Sequence, residues 1–147
     1  MSRLRMVAGK KLDDLLSATP GAFDADTAMR RLLIEQLTPR LYSLFGVTIA
    51  GLLGCERFVE ALRGPLDPSF AAQAARDWRA LTLTPAETAV LAYAEKGTLD
   101  EAAVRRKDVE DLRAAGLGDK EILLIATAIA YHNYAVRMAA AFDVEPR

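Results

Sequence analysis

The segment from Ile122 to Phe142 constrains the fold most, because it is mostly apolar over the roughly 20 positions that a bilayer span needs. His132, Asn133 and Arg137 lie inside it, however, and alanine supplies much of its apolar character. Charged and polar side chains are costly in mid-membrane, and no belt of Trp or Lys marks the ends of the segment. We therefore predict that it forms a central, almost fully buried helix of a soluble domain, and that the chain does not enter a membrane.

The rest of the chain also favours helices. No stretch alternates apolar and polar residues as a half-buried strand does, and Ala, Leu, Glu and Arg dominate the composition. At 147 residues, the chain has the length of one domain and can bury about 70% of the surface that its unfolded form exposes. The sequence predicts a single all-α domain over residues 1–147, in which residues 1–22 form an N-terminal extension.

Capping residues mark where several helices begin. Thr38, Asp67 and Thr84 each precede a proline, the pattern of an N-cap followed by Pro at the first helical position. Glu87 stands three residues after Thr84, so these two residues are predicted to form a capping box.

Glycines and apolar spacing indicate the remaining boundaries. Gly46, Gly51 and Gly54 favour either a kink or a close helix contact before Cys55. Further helices are predicted from the three- and four-residue spacing of apolar side chains and from glycine stops. They are Asp24–Leu37, capped by Asp24 or Asp26, then Cys55–Arg63, Arg105–Ala115 and a last helix that begins at Gly118-Asp119.

Charge and cysteine content exclude several classes of function. The chain has 19 Lys and Arg against 20 Asp and Glu, so no basic surface favours nucleic acid. Its single cysteine cannot form an internal disulfide, and the N-terminus lacks the apolar segment of a signal peptide, so a cytoplasmic location is expected. No metal-ligand spacing and no glycine-rich phosphate loop is present, and neither a metal nor a cofactor is expected.

A pattern in the second half of the chain combines a helix stop, a helix start and polar residues at fixed offsets. It comprises Leu112, Arg113, Ala115, Gly116, Leu117, Asp119, Glu121, Ile122, Tyr131, Asn133, Arg137, Ala139 and Ala141. The order of these segments resembles the carboxymuconolactone decarboxylase and alkylhydroperoxidase D (AhpD) superfamily, most closely its peroxidase-related branch. The resemblance implies an AhpD-like helical domain that associates as a homo-oligomer, namely a dimer, trimer or hexamer.

The same resemblance implies a redox motif that is degenerate in this chain. Members of that branch usually carry a C-x-x-C pair followed by a histidine, with a glutamate one helical stretch upstream. Here Cys55 stands at the first cysteine, Phe58 at the second, Leu62 at the histidine and Ser43 at the glutamate. Because the second thiol attacks the peroxide and the first resolves the sulfenic acid, the resemblance implies that two-thiol peroxidase activity is lost.

Two residues remain candidates for catalysis. Cys55, near a predicted helix start and close to Arg57, is a candidate nucleophile, although a lone cysteine is more often a buried apolar residue. His132 is a candidate general base, with Glu121 almost three helical turns earlier as the carboxylate that orients it. The alternative, that His132 only packs in the core, is favoured because a single histidine does not make a site.

Aromatic and polar residues are the candidates for binding a small apolar molecule. They are Tyr42, Phe58, Tyr131, Asn133, Tyr134 and Arg137. Asn133 and Arg137 lie four residues apart on one helix face, which fits either an anion-binding pair or a structural clamp. The clamp is favoured, with Glu35, Asp108 or a helix C-terminus as the acceptor for the guanidinium.

Three hypotheses for the function follow. In the first, the chain keeps a helical pocket that binds or transforms a small apolar molecule without the redox pair. In the second, Cys55 acts alone as a one-cysteine peroxidase or thiol-dependent enzyme that an external thiol resolves. In the third, the protein is a non-catalytic interaction protein whose pocket is filled by its own side chains.

Overall fold

The computed structural model describes residues 11–146, and the named elements among these residues are all helices. The eight α-helices are α1 (Leu12–Ser17), α2 (Ala22–Gln36), α3 (Pro39–Leu52), α4 (Val59–Leu62), α5 (Pro68–Asp77), α6 (Pro85–Leu99), α7 (Arg106–Ala114) and α8 (Asp119–Phe142). Turns of 3₁₀ helix lie at Glu56–Phe58, Trp78–Ala80 and Glu101–Ala103. The prediction of an all-α domain is confirmed.

Helices α3 and α8 form the centre of the molecule. Helix α3 packs against α5, α6 and α8, and it buries Leu44, Phe45 and Ile49 completely. Burial of each such side chain stabilises the fold by about 1.5–3 kcal/mol relative to an exposed position. Helix α8, the segment with the membrane-like composition, has half of its most apolar window buried inside the domain. Its length and composition alone would suffice to cross a membrane, and this burial fits a core helix. The prediction of almost full burial is wrong, since Leu123 is 70% exposed and Tyr134 is 40% exposed.

Two glycines let α3 approach its neighbours closely. A Cβ atom at Gly51 would lie 1.9 Å from the carbonyl oxygen of Ala75 in α5. A Cβ atom at Gly46 would lie 3.0 Å from the imidazole Cε1 of His132 in α8. Because α3 runs unbroken from Pro39 to Leu52, these glycines serve close helix contacts, which is one of the two alternatives that the sequence left open.

Most of the predicted helix starts are present. Thr38 accepts a hydrogen bond from Leu41 N, and Asp67 accepts from Ser69 N and Phe70 N. In the capping box, Glu87 N donates to Thr84 Oγ1 while Thr84 N donates to Glu87 Oε2, at 3.1 and 3.0 Å.

The predicted cap of α2 is wrong. The N-cap is Gly21, whose φ of +79° lies in the left-handed region that glycine adopts without a steric penalty. Asp24 lies in the first turn of the helix, and Asp26 is buried against another helix instead of capping this one.

The predicted helix over Cys55–Arg63 is present in a shorter form, as a 3₁₀ turn over Glu56–Phe58 that continues directly into the single-turn α4. A Schellman motif ends α3 just before this stretch, and in it Gly54 has a φ of +71°. Cys55 N donates to Ala50 O at 2.7 Å and Gly54 N to Gly51 O at 3.0 Å. Cys55 is thereby fixed in a non-helical conformation, outside the first turn of any α-helix.

The described part of the predicted N-terminal extension belongs to the core. Helix α1 buries Leu12, Leu15 and Leu16, and Leu12 N donates to Glu145 O at 2.7 Å. Residues 1–10, in which no signal peptide was predicted, lie outside the described residues.

An ion pair between Lys96 and Asp108 joins α6 to α7, with Nζ 2.9 Å from both carboxylate oxygens. The Lys96 ammonium, and after it the Arg105 backbone N–H, holds the pKa of Asp108 below its ordinary value of 3.8. A lowered folded-state pKa stabilises the fold above the unfolded-state value, and this contribution is lost as the pH falls through the folded-state value. Between about pH 5 and about pH 3 we expect Asp108→Asn to lose less stability than the parent, as measured by urea unfolding. Equal losses of stability in the two proteins would contradict the lowered pKa of Asp108.

Candidate functional site

A cavity of about 320 Å³ lies between α2, α3, α4 and α8. Most of its wall is apolar, and its polar groups converge from α2, α3 and α8. The lining residues are Arg30, Ile34, Pro39, Tyr42, Ser43, Ala61, Leu62, Gly64, Pro65, Tyr131, His132, Ala135 and Pro146.

His132 forms the inner wall of the cavity. Its side chain is almost fully buried, and its ring packs against the backbone of α3 at Gly46. The centroid of the imidazole lies 4.5 Å from that of Tyr42 and 5.6 Å from that of Tyr131, the latter in an edge-on arrangement. Three candidate residues from two distant segments of the sequence therefore meet in one aromatic cluster.

Ser43 and Leu62 line the same cavity as His132. Ser43 is buried, and Gly64 lies so close to it that a Cβ atom there would be 2.5 Å from the serine Oγ. These are the positions at which the resemblance implied a glutamate and a histidine. The structure brings both positions to the wall of one pocket, with a hydroxyl and an aliphatic side chain in place of the implied proton-transfer groups.

A buried hydrogen bond fixes Tyr131 in the wall. Its hydroxyl donates to Asp26 Oδ1 at 3.0 Å, which ties α8 to α2. Removing a partner from such a buried pair costs about 1–3 kcal/mol, so the bond holds the aromatic ring in one position.

Solved structures of similar fold place this architecture among known proteins. An uncharacterized peroxidase-related protein from Silicibacter sp. TM1040 has a TM-score of 0.75 at 23% identity, over 90% of this chain and 75% of that one. An AhpD-core peroxidase-related protein from Ralstonia eutropha JMP134 has a TM-score of 0.74 at 24% identity, over 90% and 74%. A protein of unknown function from Agrobacterium tumefaciens, whose name connects it with AhpD, has a TM-score of 0.74 at 23% identity, over 97% and 96%.

The chain has the AhpD fold. The fold class expected from the C-terminal pattern is thereby confirmed. No family model matches the chain, and no curated protein sequence matches it. At these identities the structural likeness establishes the architecture, and the chemistry has to come from the residues of this chain.

In this AhpD fold, Cys55 lies away from the cavity. It is half-buried at the end of α3, and its Sγ lies 3.6 Å from the carbonyl oxygen of Leu53. It is not among the residues that line the cavity. The nearby Arg57 guanidinium stacks on the ring of Phe58 at 4.2 Å and pairs with Asp143 at 3.2 Å. The structure therefore does not bring Cys55 and His132 into one site.

Phe58 belongs to the core. Its side chain is fully buried and does not line the cavity, so its position does not favour the predicted binding role. The position of the implied second cysteine is occupied by an aromatic residue that packs the interior.

The predicted pairing of Glu121 with His132 is wrong. Glu121 Oε2 accepts from Gly118 N at 2.7 Å and so caps the start of α8. Eleven residues along a helix correspond to about 16 Å, so sharing a side of the helix does not bring the two side chains together. Glu121 is therefore not the carboxylate that orients His132.

Asn133 and Arg137 form the predicted clamp at a helix C-terminus. Asn133 Nδ2 donates to Thr98 Oγ1 at 2.9 Å, and Arg137 Nη2 donates to Thr98 O at 3.3 Å, in the last turn of α6. Arg137 Nε also donates to Asn133 Oδ1. Neither Glu35 nor Asp108 is the acceptor. Both side chains face α6, away from the His132 cavity.

Tyr134 also lies outside the cavity. It is 40% exposed and borders a shallow groove of about 410 Å³ between α2 and α8, on the other side of Tyr131. Among the six binding candidates, only Tyr42 and Tyr131 line the His132 cavity.

Sequence reasoning missed the contribution of α2. Asp26, Arg30 and Ile34 are spaced four residues apart, which places them on one face of this helix. Asp26 holds Tyr131, and the other two residues line the cavity. The spacing was visible in the sequence, but nothing in it indicated that this face turns toward α8.

Proposed function

We propose that this chain binds a small, largely apolar molecule in the His132 cavity and that it is not a two-thiol peroxidase. The observation that carries the proposal is the cavity itself, which unites Tyr42, Ser43, Tyr131 and His132 and has no thiol in its wall. The AhpD fold is thus retained with a pocket at the place where the resemblance implied the proton-transfer groups.

The size and lining of the cavity support a small ligand. A volume of about 320 Å³ is near the lower end of small-molecule sites, which combine apolar walls with a few polar groups that fix orientation. The Ser43 hydroxyl and the His132 imidazole are such groups, and the tyrosine rings offer faces for an apolar or aromatic body.

The alternatives receive less support. The side chains of residues 11–146 leave this cavity open, which argues against a protein whose pocket is filled by its own side chains. A one-cysteine peroxidase needs its thiol beside a proton donor and a peroxide site, whereas Cys55 lies outside the cavity. Cys55→Ser distinguishes this alternative, because only thiol chemistry depends on the sulfur.

Blocking the cavity tests the proposal. Ala61 is exposed at the mouth of the cavity, so Ala61→Trp places an indole there without disturbing the core. We expect the wild type to bind a neutral probe such as benzyl alcohol or cyclohexanol, and Ala61→Trp to bind it at least about tenfold more weakly, a loss of about 1.4 kcal/mol. Calorimetric titration measures both affinities.

The matched control is Ala72→Trp, at an exposed position of α5 that does not line the cavity. It should bind the probe like the wild type. A second blocking variant, Ala135→Leu, fills the cavity from α8. Equal affinity in the wild type and both blocked variants, or absence of binding by the wild type across the probe panel, would overturn the proposal.

A further inference from the structure

Arg30 is the feature of the cavity that the proposed function leaves unexplained. It is half-buried on α2 and lines the cavity opposite α3 and α4. Among residues 11–146, the lining contains no aspartate or glutamate, and the Asp26 carboxylate, one helical turn before Arg30 on the same face, accepts a hydrogen bond from Tyr131. The positive charge of Arg30 stands out in a chain whose formal net charge is only -1.

Most of the other arginines within residues 11–146 have an ion pair or a hydrogen bond, whereas the exposed Arg31 and Arg76 do not. Six of them form ion pairs with carboxylates at 4.0 Å or less: Arg40, Arg57, Arg63, Arg79, Arg106 and Arg113. Arg137 instead donates to an amide and a backbone oxygen. Within the described part of the chain, Arg30 makes no such ion pair or hydrogen bond. A partly desolvated guanidinium gains from an anionic acceptor, and its planar donors match a carboxylate in two parallel hydrogen bonds.

We propose that the ligand of the His132 cavity is a small apolar monocarboxylate, whose carboxylate pairs with Arg30 while its hydrocarbon body lies against Tyr42, Leu62 and His132. This inference rests on the proposed function, since it names the chemical class of the molecule that the cavity binds. One permanent positive charge in the wall matches a monoanion. The apolar lining accommodates an aryl or short alkyl group and leaves few donors for a more highly charged phosphate.

A pair of isosteric probes tests the inference. Phenylacetate and phenylacetamide have nearly the same shape and differ in charge, so their affinity ratio reports the carboxylate contact. We expect the wild type to prefer phenylacetate by about tenfold or more, which is about 1.4 kcal/mol. In Arg30→Gln the preference should fall to about twofold, because the charged pair with the carboxylate is removed while any hydrogen bond to the amide is weakened far less.

Arg31→Gln is the matched control, because Arg31 is the exposed neighbour of Arg30 and does not line the cavity. It should keep the full preference for the acid. Arg30→Lys, which retains the charge but not the fork of donors, should give an intermediate ratio and shows that the effect is not a loss of folding.

The outcomes separate the two proposals. If the wild type binds the amide as tightly as the acid, or if Arg30→Gln keeps the acid preference, the assignment of the carboxylate is overturned while the apolar pocket stands. If neither probe nor any neutral probe binds, both proposals are overturned.

Discussion

Substitution of Gly51 by alanine is expected to destabilise the fold by about 3 kcal/mol or more, near the upper end of the cost of overpacking a core. The new Cβ would lie 1.9 Å from the carbonyl oxygen of Ala75 and 2.5 Å from its carbonyl carbon. Backbone atoms of α5 cannot rotate away as a side chain could, so α3 and α5 must separate. Urea unfolding followed by circular dichroism measures the loss.

Gly97→Ala is the matched control for this prediction. Gly97 also lies inside a helix, but the nearest atom to a Cβ there would be Ile129 Cγ2 at 4.0 Å. Since the space is open and alanine favours helix, this change should stabilise by about 0.5–1 kcal/mol. If Gly51→Ala were as harmless as Gly97→Ala, the close contact between α3 and α5 would be contradicted.

The second large effect concerns the position of the implied second cysteine. Phe58→Cys should destabilise the fold by about 3 kcal/mol, because it empties part of a fully buried aromatic site. Phe58→Leu keeps more of the volume and should cost less, about 1–2 kcal/mol. The same urea unfolding measurement ranks the two variants.

Restoring the cysteine pair should not restore peroxidase activity. In Phe58→Cys the proton-transfer positions would still hold Ser43 and Leu62, and both line a cavity that Cys55 does not reach. A hydroperoxide consumption assay with an external dithiol checks this expectation. A turnover that requires both thiols would contradict the expectation that activity stays lost. A stability equal to that of the wild type would contradict the role of Phe58 as a core residue.

Local signals allowed much of the fold to be predicted from the sequence. The capping residues Thr38, Asp67 and Thr84 each determined a helix start through hydrogen bonds within a few residues. Gly116, with a φ of +96°, ended α7 in the same local manner. Such signals depend on short-range geometry, and they agree with the structure because nothing distant competes with them.

The predictions from sequence fail where contacts between distant residues, or the geometry of the backbone, override the local signals. Asp26 looks like a cap, but a bond to Tyr131 from 105 residues away buries it. The apolar spacing around Phe58 predicted one α-helix from Cys55, whereas the structure leaves Cys55 non-helical after the Schellman motif at Gly54 and begins the stretch with a 3₁₀ turn. Cys55 and His132 were both candidates for catalysis, but only His132 lines the cavity.

The cavity illustrates the same limit. Its wall comes from four helices and two short loops, so no single segment of the sequence contained its pattern. Arg30 became a candidate only when α2 was placed beside α8. The expectations of a homo-oligomer and of a cytoplasmic location stay predictions, since neither follows from the contacts within one chain.

The central claim is that the cavity, and not the thiol, is the functional site. One titration of benzyl alcohol and phenylacetate into the wild type, Cys55→Ser and Ala61→Trp tests it most directly. The account predicts that Cys55→Ser binds both probes as the wild type does and that Ala61→Trp loses about tenfold or more in affinity. Loss of binding in Cys55→Ser together with full binding in Ala61→Trp would contradict it.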